Sequence, residues 1–238
     1  MPVFRLSERI SFPPPHFAES EGLLAVGGDL SEARILLAYQ MGIFPWFSDD
    51  DPILWWSPDP RLVLYPSDIR VPRRLKRTIR QRYFHVTCDT SFDQVINGCA
   101  QVRLSNHEKT WIVDEMIAAY CRLFASGYAH SIEVWCEGQL AGGLYGISLG
   151  GSFFGESMFS KVSDASKVAL AALCRYLQAL SFDMVDCQMP TDHLMRMGAV
   201  KISRMRFLRE LHASLKRPTF QGSWRASFEN VFQDLKKA

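Results

Sequence analysis

The sequence predicts an α+β fold in which helices flank a mixed β-sheet, and the evidence lies between residues 131 and 189. Three runs with the two-residue period of β-strands follow one another at 131–136, 140–148 and 152–158, joined by glycine turns. A helix is predicted over 164–180, where leucines recur at three- and four-residue spacing, and a short strand over 184–189 follows it. Because a strand, helix and strand in this order form a right-handed parallel unit, the sheet should combine this unit with an antiparallel meander.

Residues 1–62 are predicted to form a small N-terminal domain, and residues 63–238 the larger domain that holds the sheet. The first sixty residues are rich in proline and tryptophan, and they contain one helix that begins after Ser31 and ends before Gly42. Pro58 and Pro60 then favour an extended link. A chain of 238 residues is long enough for this division.

Three further helices are predicted between the link and the first strand of the meander. The first begins at Pro72 and turns Leu75 and Ile79 toward the core, with basic side chains outward. The second runs over 91–99 and opens with residues at capping-box spacing. The third follows Asp114 and ends before Gly127. These helices therefore precede the sheet in the chain.

The segment around the Pro72 helix concentrates positive charge in a nearly neutral chain, whose formal net charge is +2. Seven basic residues occur there without one acidic residue: Arg70, Arg73, Arg74, Lys76, Arg77, Arg80 and Arg82. We favour phosphate binding for this segment, and a solvated charged face is the alternative. The segment has no base-reading motif, so it would contact the backbone of a nucleic acid.

Composition and motifs exclude several classes of function. Hydrophobic residues make up 47% and charged residues 22% of the chain, as in globular enzymes rather than disordered proteins. The six cysteines form no C-x-x-C pair, and we interpret them as reduced core residues of a cytosolic protein. The sequence has no signal peptide, apolar span, metal-ligand spacing of histidines, Walker loop or dinucleotide fingerprint. We therefore expect a cytoplasmic protein that needs no membrane, metal or cofactor.

The strand predicted over 184–189 carries the strongest candidates for chemistry. Because side chains alternate along a strand, Asp186 and Gln188 should share one face and be buried or line a cleft. A buried, hydrogen-bonded pair that fixes a loop explains the same spacing equally well. Glu156 lies on the preceding strand, where an isolated glutamate is usually an edge or surface residue. Beside Asp186, it would form an acidic site suited to an ammonium group.

Tryptophans are concentrated in the first part of the chain. For Trp55 and Trp56 we favour a structural role that joins the small domain to the large one. For Trp46 and Trp111 stacking on an unpaired base is a strong alternative, since each stacked base contributes about 1–3 kcal/mol.

Several strings of this sequence resemble the signatures of leucyl/phenylalanyl-tRNA-protein transferases, and they occur in consistent order from about Gly22 to Gly198. The strings are GLLAVGGDL (22–30), GIFPWF (42–47), WWSPDPR (55–61), TWI (110–112), HSIEVW (130–135), FGESMFS (154–160) and DCQ (186–188). The resemblance implies that the larger domain has the acetyltransferase-like (GNAT) fold.

The resemblance also implies an activity and its partners. Such enzymes transfer leucine or phenylalanine, and less readily methionine, from leucyl-tRNA or phenylalanyl-tRNA to acceptor proteins that begin with Arg or Lys. The acceptors are thereby marked for N-end-rule degradation. Trp46 and Trp111 would hold the terminal adenosine of the tRNA. The apolar pocket for the transferred side chain would be formed by Leu144, Phe153, Met158, Leu170 and Val185.

The chemistry implied is ester aminolysis, which needs no ATP because the aminoacyl ester is already activated. The catalytic candidates are Asp186, Gln188 and Glu156. An amide is a poor base, so we assign Gln188 to positioning, Asp186 to electrostatics and Glu156 to orienting amino groups. Proton acceptance is left to water or to the tRNA hydroxyl. The tRNA backbone would be bound by Arg73, Arg74, Lys76, Arg77 and Arg80.

Two alternative functions fit parts of the same sequence, and the second belongs to another class. An acetyl-coenzyme A-dependent acetyltransferase on the same fold needs a glycine-rich turn for the pyrophosphate, but residues 159–166 contain no glycine and include Asp164. A non-catalytic tRNA-binding protein would use the basic helix and the tryptophans, and it would leave Asp186 and Gln188 without a role.

Overall fold

The computed structural model describes residues 3–81, 83–105 and 111–237, apart from the side chains of 103–105 and 232–237. In the first part of this described chain, four strands form a small sheet in the order β1-β2-β4-β3. Its strands are β1 (Phe4–Leu6), β2 (Leu23–Gly27), β3 (Phe44–Pro45) and β4 (Leu54–Trp56). Helix α1 (Glu32–Gln40) lies between β2 and β3, and the Ser31 side chain accepts a hydrogen bond from the Arg34 N–H. The predicted N-terminal helix and its cap are confirmed.

The chain then enters a larger sheet at β5 (Arg61–Leu64), immediately after the two prolines of the link. Within the described residues its seven strands follow the order β11-β5-β10-β9-β8-β7-β6. The other strands are β6 (His85–Cys88), β7 (Ala129–Cys136), β8 (Gln139–Leu149), β9 (Ser152–Ser160), β10 (Met184–Gln188) and β11 (Val200–Ile202). Strands β7, β8 and β9 form the antiparallel meander, and β9 and β10 are parallel. The predicted mixed sheet of an α+β fold is confirmed.

Helices cover both faces of the larger sheet. Helix α5 (Ala165–Ala179) joins β9 to β10 and packs Leu170, Leu173 and Leu177 against one face. Helices α3 (Phe92–Ser105) and α4 (Asp114–Ala125) contribute to the core on the other face, which continues into the small sheet and α1. The C-terminal part adds α6 (Asp192–Arg196), α7 (Arg204–Ser214) and α8 (Arg225–Lys237). Among the described helices, none combines the length and the apolar composition that crossing a bilayer requires.

The basic helix differs from its prediction in one side chain. Helix α2 (Arg73–Arg80) begins after Pro72, as predicted, and buries Leu75. Ile79 was predicted to face the core, but 41% of it is exposed. The prediction for Ile79 is wrong because the apolar stripe of this eight-residue helix is too thin to bury its second turn. Arg82, the last of the seven basic residues, lies outside the described residues.

Candidate active site

A cavity of about 400 Å³ lies where β9 and β10 part. Their pairing ends at Asp186 opposite Phe154, whereas β9 continues to Ser160 beside β8. The cavity is lined by residues of β8, β9 and β10 around this point, by α5 and α6, and by β3 of the small sheet. Its volume falls in the range of roughly 300–1,000 Å³ that small-molecule sites occupy. Both sheets therefore contribute walls to one site.

The wall formed by β10 departs from the alternation of a regular strand. Its register with β5 shifts between Asp186 and Gln188, and Gln188 has a left-handed φ of 55°. As a result, Cys187 and Gln188 both line the cavity, and Asp186 is not among the lining residues. A β-bulge therefore interrupts, at Gln188, the regular alternation on which the prediction for Asp186 and Gln188 was based.

Asp186 forms a fully buried ion pair with Arg61 at the start of β5. Nε and Nη2 of Arg61 donate to the two carboxylate oxygens of Asp186 at 2.8 and 2.6 Å. The guanidinium also lies 4.8 Å from the ring centre of Phe44 and 4.5 Å from that of Phe207. Oδ1 of Asp186 accepts a third hydrogen bond, 3.0 Å long, from the backbone N–H of Gln188. Asp186 thus holds the bulge that directs Gln188 into the cavity.

Glu156 lies at the polar end of the cavity, where only 8% of it is exposed. Its Oε1 accepts hydrogen bonds from the Tyr39 hydroxyl at 2.6 Å and from Nε2 of Gln188 at 3.0 Å. Its Oε2 accepts a hydrogen bond from the Tyr120 hydroxyl at 2.8 Å. Burial raises the pKa of Glu156 to about 7, although the two tyrosines and Gln188 oppose that rise. Asp186 adds a smaller effect in the raising direction.

The remaining wall of the cavity is apolar. All five residues predicted for a side-chain pocket lie in it: Leu144, Phe153, Met158, Leu170 and Val185. Gly146 leaves room for Phe153, because a Cβ at Gly146 would collide with the Phe154 carbonyl and come within 2.6 Å of the Phe153 ring. The cavity can therefore accept an unbranched, branched or aromatic apolar side chain next to a carboxyl and a carboxamide.

Sequence comparisons identify the family of this chain. The family described as "Leucyl/phenylalanyl-tRNA protein transferase" matches residues 63–212, and the N-terminal domain of the same family matches residues 28–59. The chain belongs to this family. A leucyl/phenylalanyl-tRNA--protein transferase of Desulforapulum autotrophicum is 58% identical, and the match covers 94% of this chain and 98% of that protein. One from Desulfatibacillum aliphaticivorans is 56% identical over 97% of this chain and 99% of that protein.

Solved structures give only distant likenesses. An aminoglycoside acetyltransferase from a soil metagenomic sample has a TM-score of 0.39 and 12% identity, over 48% of this chain and 84% of that one. A GCN5-related N-acetyltransferase from Kribbella flavida has a TM-score of 0.36 and 9% identity, over 71% of this chain and 60% of that one. At these TM-scores the likeness assigns no ligand or activity to this family member.

The two tryptophans named as adenosine candidates both line the cavity. Trp46 is 40% exposed, and it is supported by Trp56, whose Nε1 donates to the Trp46 carbonyl at 2.7 Å. The rings of Trp46 and Trp56 meet edge to face at 5.5 Å. Trp111 is half-buried, and Thr110 beside it lies outside the described residues. Trp55 is fully buried in the small sheet and donates to the Gly27 carbonyl.

The basic residues of α2 lie outside this cavity. Arg73, Lys76, Arg77 and Arg80 border a shallow hollow on the surface, and Arg74 is exposed beside them. The structure thus separates the predicted phosphate-binding surface from the predicted chemical site.

Sequence reasoning missed three residues that define the site, namely Arg61, Tyr39 and Tyr120. Arg61 ends one of the family strings, but a sequence gives no indication that its partner lies 125 residues away. Tyr39 and Tyr120 occupy helix positions that also suit core residues, and both are fully buried. The signal available was weak: each is a tyrosine at a core position of its helix, where a buried hydroxyl needs a partner.

Proposed function

We propose that this chain is an aminoacyltransferase that moves leucine or phenylalanine, and less readily methionine, from an aminoacyl-tRNA to the N-terminus of an acceptor protein. The observation that carries the proposal is the cavity, which combines an apolar wall, a corner formed by Glu156 and Gln188, and two tryptophans at its edge. The membership of the family supports the same activity.

The reaction joins two substrates at the polar corner. The α-amine of the acceptor attacks the carbonyl carbon of the aminoacyl ester, and the ribose oxygen of the tRNA leaves. The transferred side chain occupies the apolar wall, where each buried methylene contributes about 0.8 kcal/mol. Selection by such a wall depends on size and shape, so leucine, methionine and phenylalanine are all accepted and charged side chains are refused.

Gln188 positions the incoming amine in this proposal. Its Nε2 donates to Glu156, and among the described residues no group donates to its Oε1. That oxygen is available to accept a hydrogen bond from the α-ammonium group, while Asp186 holds the Gln188 backbone. Asp186 therefore acts through Gln188, and its charge is balanced by Arg61. Positioning of this kind accounts for much of the rate enhancement of a reaction whose ester is already activated.

The tRNA is bound in two places. Trp46 and Trp111 stack with the terminal adenosine next to the ester, and the exposed basic residues of α2 contact phosphates of the tRNA backbone.

The acceptors are proteins that begin with Arg or Lys, and the added residue marks them for N-end-rule degradation. Because charged tRNA is a cytoplasmic substrate, the reaction takes place in the cytoplasm. We also propose that the small N-terminal domain ends, and the larger domain begins, near residue 62.

An acetyl-coenzyme A-dependent reaction is less well supported. Asp164 precedes the N-terminus of α5, the position at which a pyrophosphate would bind. Its carboxylate pairs with Nζ of Lys167 at 2.6 Å. A pyrophosphate bound there would have to compete with this carboxylate for Lys167 and for the helix N-terminus.

A transfer assay tests the proposed function. The purified protein is incubated with radiolabelled leucyl-tRNA and an acceptor that begins with Arg, and in parallel with the same acceptor beginning with Ala. We expect label in the first acceptor alone. Gln188→Ala should abolish most of the transfer, whereas Gln139→Ala, at an exposed glutamine that begins β8, should leave it unchanged. Label in neither acceptor, with tRNA binding intact, would instead support the non-catalytic tRNA-binding alternative.

A further inference from the structure

Three oxygen-bearing groups form a closed ring at the polar end of the cavity. The hydroxyl oxygens of Tyr39 and Tyr120 lie 2.6 Å apart. Tyr39 lies 2.6 Å from Oε1 of Glu156, and Tyr120 lies 2.8 Å from Oε2 of the same carboxyl. The three groups come from α1, α4 and β9, and all of them are buried. Each of the three distances is that of a hydrogen bond between two oxygens.

The ring has three contacts, and each needs one proton. The two phenols supply two protons, so an ionised Glu156 leaves one contact without a proton. A proton on Oε2 completes the ring, because the hydrogen bonds then run from Glu156 to Tyr120, from Tyr120 to Tyr39, and from Tyr39 back to Oε1. The ring can therefore take up one proton and keep a hydrogen bond at each of its three contacts.

The surroundings of Glu156 leave its protonation finely balanced. Burial disfavours the carboxylate, whereas the donors Tyr39, Tyr120 and Gln188 favour it, so that the pKa is about 7. Asp186 is the neighbouring acid, and Arg61 offsets its charge. Tyr145 faces both ring tyrosines from β8, and the pKa of each ring tyrosine lies well above its ordinary value, chiefly because of burial. Glu156 therefore changes its protonation state near neutrality.

We propose that Glu156 is the proton acceptor of aminoacyl transfer, and that Tyr39 and Tyr120 are positioning residues that share the accepted proton with it. This inference rests on the proposed function and deepens it. One N–H bond of the acceptor α-ammonium breaks, and an O–H bond forms at Glu156. The freed nitrogen lone pair forms the C–N bond with the ester carbonyl, and the C–O bond to the ribose breaks. The ribose oxygen takes the second proton of the nitrogen, and Glu156 later releases its own proton to solvent.

Glu156 suits this role better than Gln188 and Asp186. It reaches the cavity surface and hydrogen-bonds Gln188, which holds the incoming amine. The amide of Gln188 is a poor base, and Asp186 does not line the cavity. The sequence alone left proton acceptance to water or to the tRNA hydroxyl, because it did not reveal the ring.

The pH dependence of single-turnover transfer tests the proposal. Glu156→Gln keeps the shape of the side chain and removes the acceptor. The ratio of wild-type to Glu156→Gln rates cancels the titration of the acceptor amine, and we expect it to be about 100-fold or more near pH 8. Because an acid accepts a proton only when ionised, the ratio should fall about ten-fold per pH unit below about 7. A ratio that does not vary with pH would overturn the proposal.

Tyr→Phe variants test the ring. Tyr39→Phe or Tyr120→Phe removes one donor to the carboxylate, so the acid limb of the wild-type profile should move to higher pH. Tyr65→Phe is the matched control, since the Tyr65 hydroxyl donates to Glu210 away from the cavity. An acid limb that stays in place in both ring variants would show that the tyrosines do not share the proton.

An infrared titration of the free protein is independent of turnover. A buried carboxylic acid has a carbonyl band, and this band should disappear with a midpoint near pH 7 in wild type and be absent in Glu156→Gln. If wild type shows no such band, the proposal fails even where transfer is active. If wild type shows no transfer while the band titrates, the proposed function fails, although Glu156 still takes up a proton near neutrality.

Discussion

Removal of the Asp186 carboxylate is the sharpest test of how the site is held together. Asp186→Ala leaves the guanidinium of Arg61 buried without its partner, since both side chains are fully buried and two hydrogen bonds join them. Breaking a buried pair from one side costs about 3–5 kcal/mol. Total stabilities of proteins are about 5–15 kcal/mol. At about 2–4 °C per kcal/mol for a chain of this size, the melting temperature should fall by roughly 6–20 °C.

The nearby surface pair gives the control. Asp183 and Arg217 approach to 3.7 Å, and 51% and 38% of their side chains are exposed. Asp183→Ala should therefore cost at most about 1 kcal/mol. Both variants are compared with wild type by urea denaturation and by thermal melting. Equal, small losses for Asp186→Ala and Asp183→Ala would refute the reasoning that the buried pair supports this part of the fold.

A double variant separates stability from function. Arg61→Met with Asp186→Leu replaces the ion pair by apolar side chains, and such replacements are often neutral or stabilising. We expect the free energy of unfolding to return to within about 2 kcal/mol of wild type. Transfer should remain low, because the Gln188 N–H has lost its acceptor on Asp186. Recovery of both stability and transfer would mean that the bulge at Gln188 does not need Asp186.

Two further predictions concern tRNA. Trp46→Ala should weaken binding of an aminoacyl-adenosine by about 5- to 150-fold, because one stacking contact of about 1–3 kcal/mol is lost. Trp135 lies outside the cavity, so the control variant Trp135→Phe should bind as wild type does. Equal affinities for wild type and Trp46→Ala would exclude stacking on Trp46. Neutralising four residues of α2 should weaken tRNA binding and lower the slope of log affinity against log salt by about 3–4. The four residues are Arg73, Arg74, Lys76 and Arg77, and the control is neutralisation of the exposed Lys201 and Lys216; an unchanged slope would show that α2 does not touch tRNA.

The order of elements in the fold could be predicted from the sequence because each element carries its own local signal. The meander, α5 and β10 follow from the period of their side chains and from the glycine turns. The same local logic failed at Gln188, because alternation assumes a regular strand. Nothing in the string DCQ indicates that the register with β5 shifts or that Gln188 adopts a positive φ. The direction of the Asp186 side chain therefore required the structure.

Local sequence patterns could not identify residues that act through long-range contacts. Tyr39 and Glu156 are 117 residues apart, and Arg61 and Asp186 are 125 apart. The apolar pocket residues were named from family resemblance and not from periodicity, since a leucine in a pocket and a leucine in the core have the same spacing. Buried tyrosine hydroxyls and buried charges are the detectable exceptions, because each needs a partner that the chain must supply elsewhere.

The small N-terminal sheet contributes residues to the proposed active site rather than merely adjoining it. Its helix α1 supplies Tyr39 to the proton-binding ring, and its strand β3 is followed by Trp46 at the edge of the cavity. Phe44 lines the cavity and also packs against the guanidinium of Arg61. Arg61 pairs with Asp186, and Asp186 accepts a hydrogen bond from the backbone N–H of Gln188. A shift of the small sheet would therefore disturb the proposed proton acceptor, the proposed amine-positioning residue and the proposed stacking surface together. In the proposed reaction, the contact between the two sheets is thus constrained by chemistry as well as by stability.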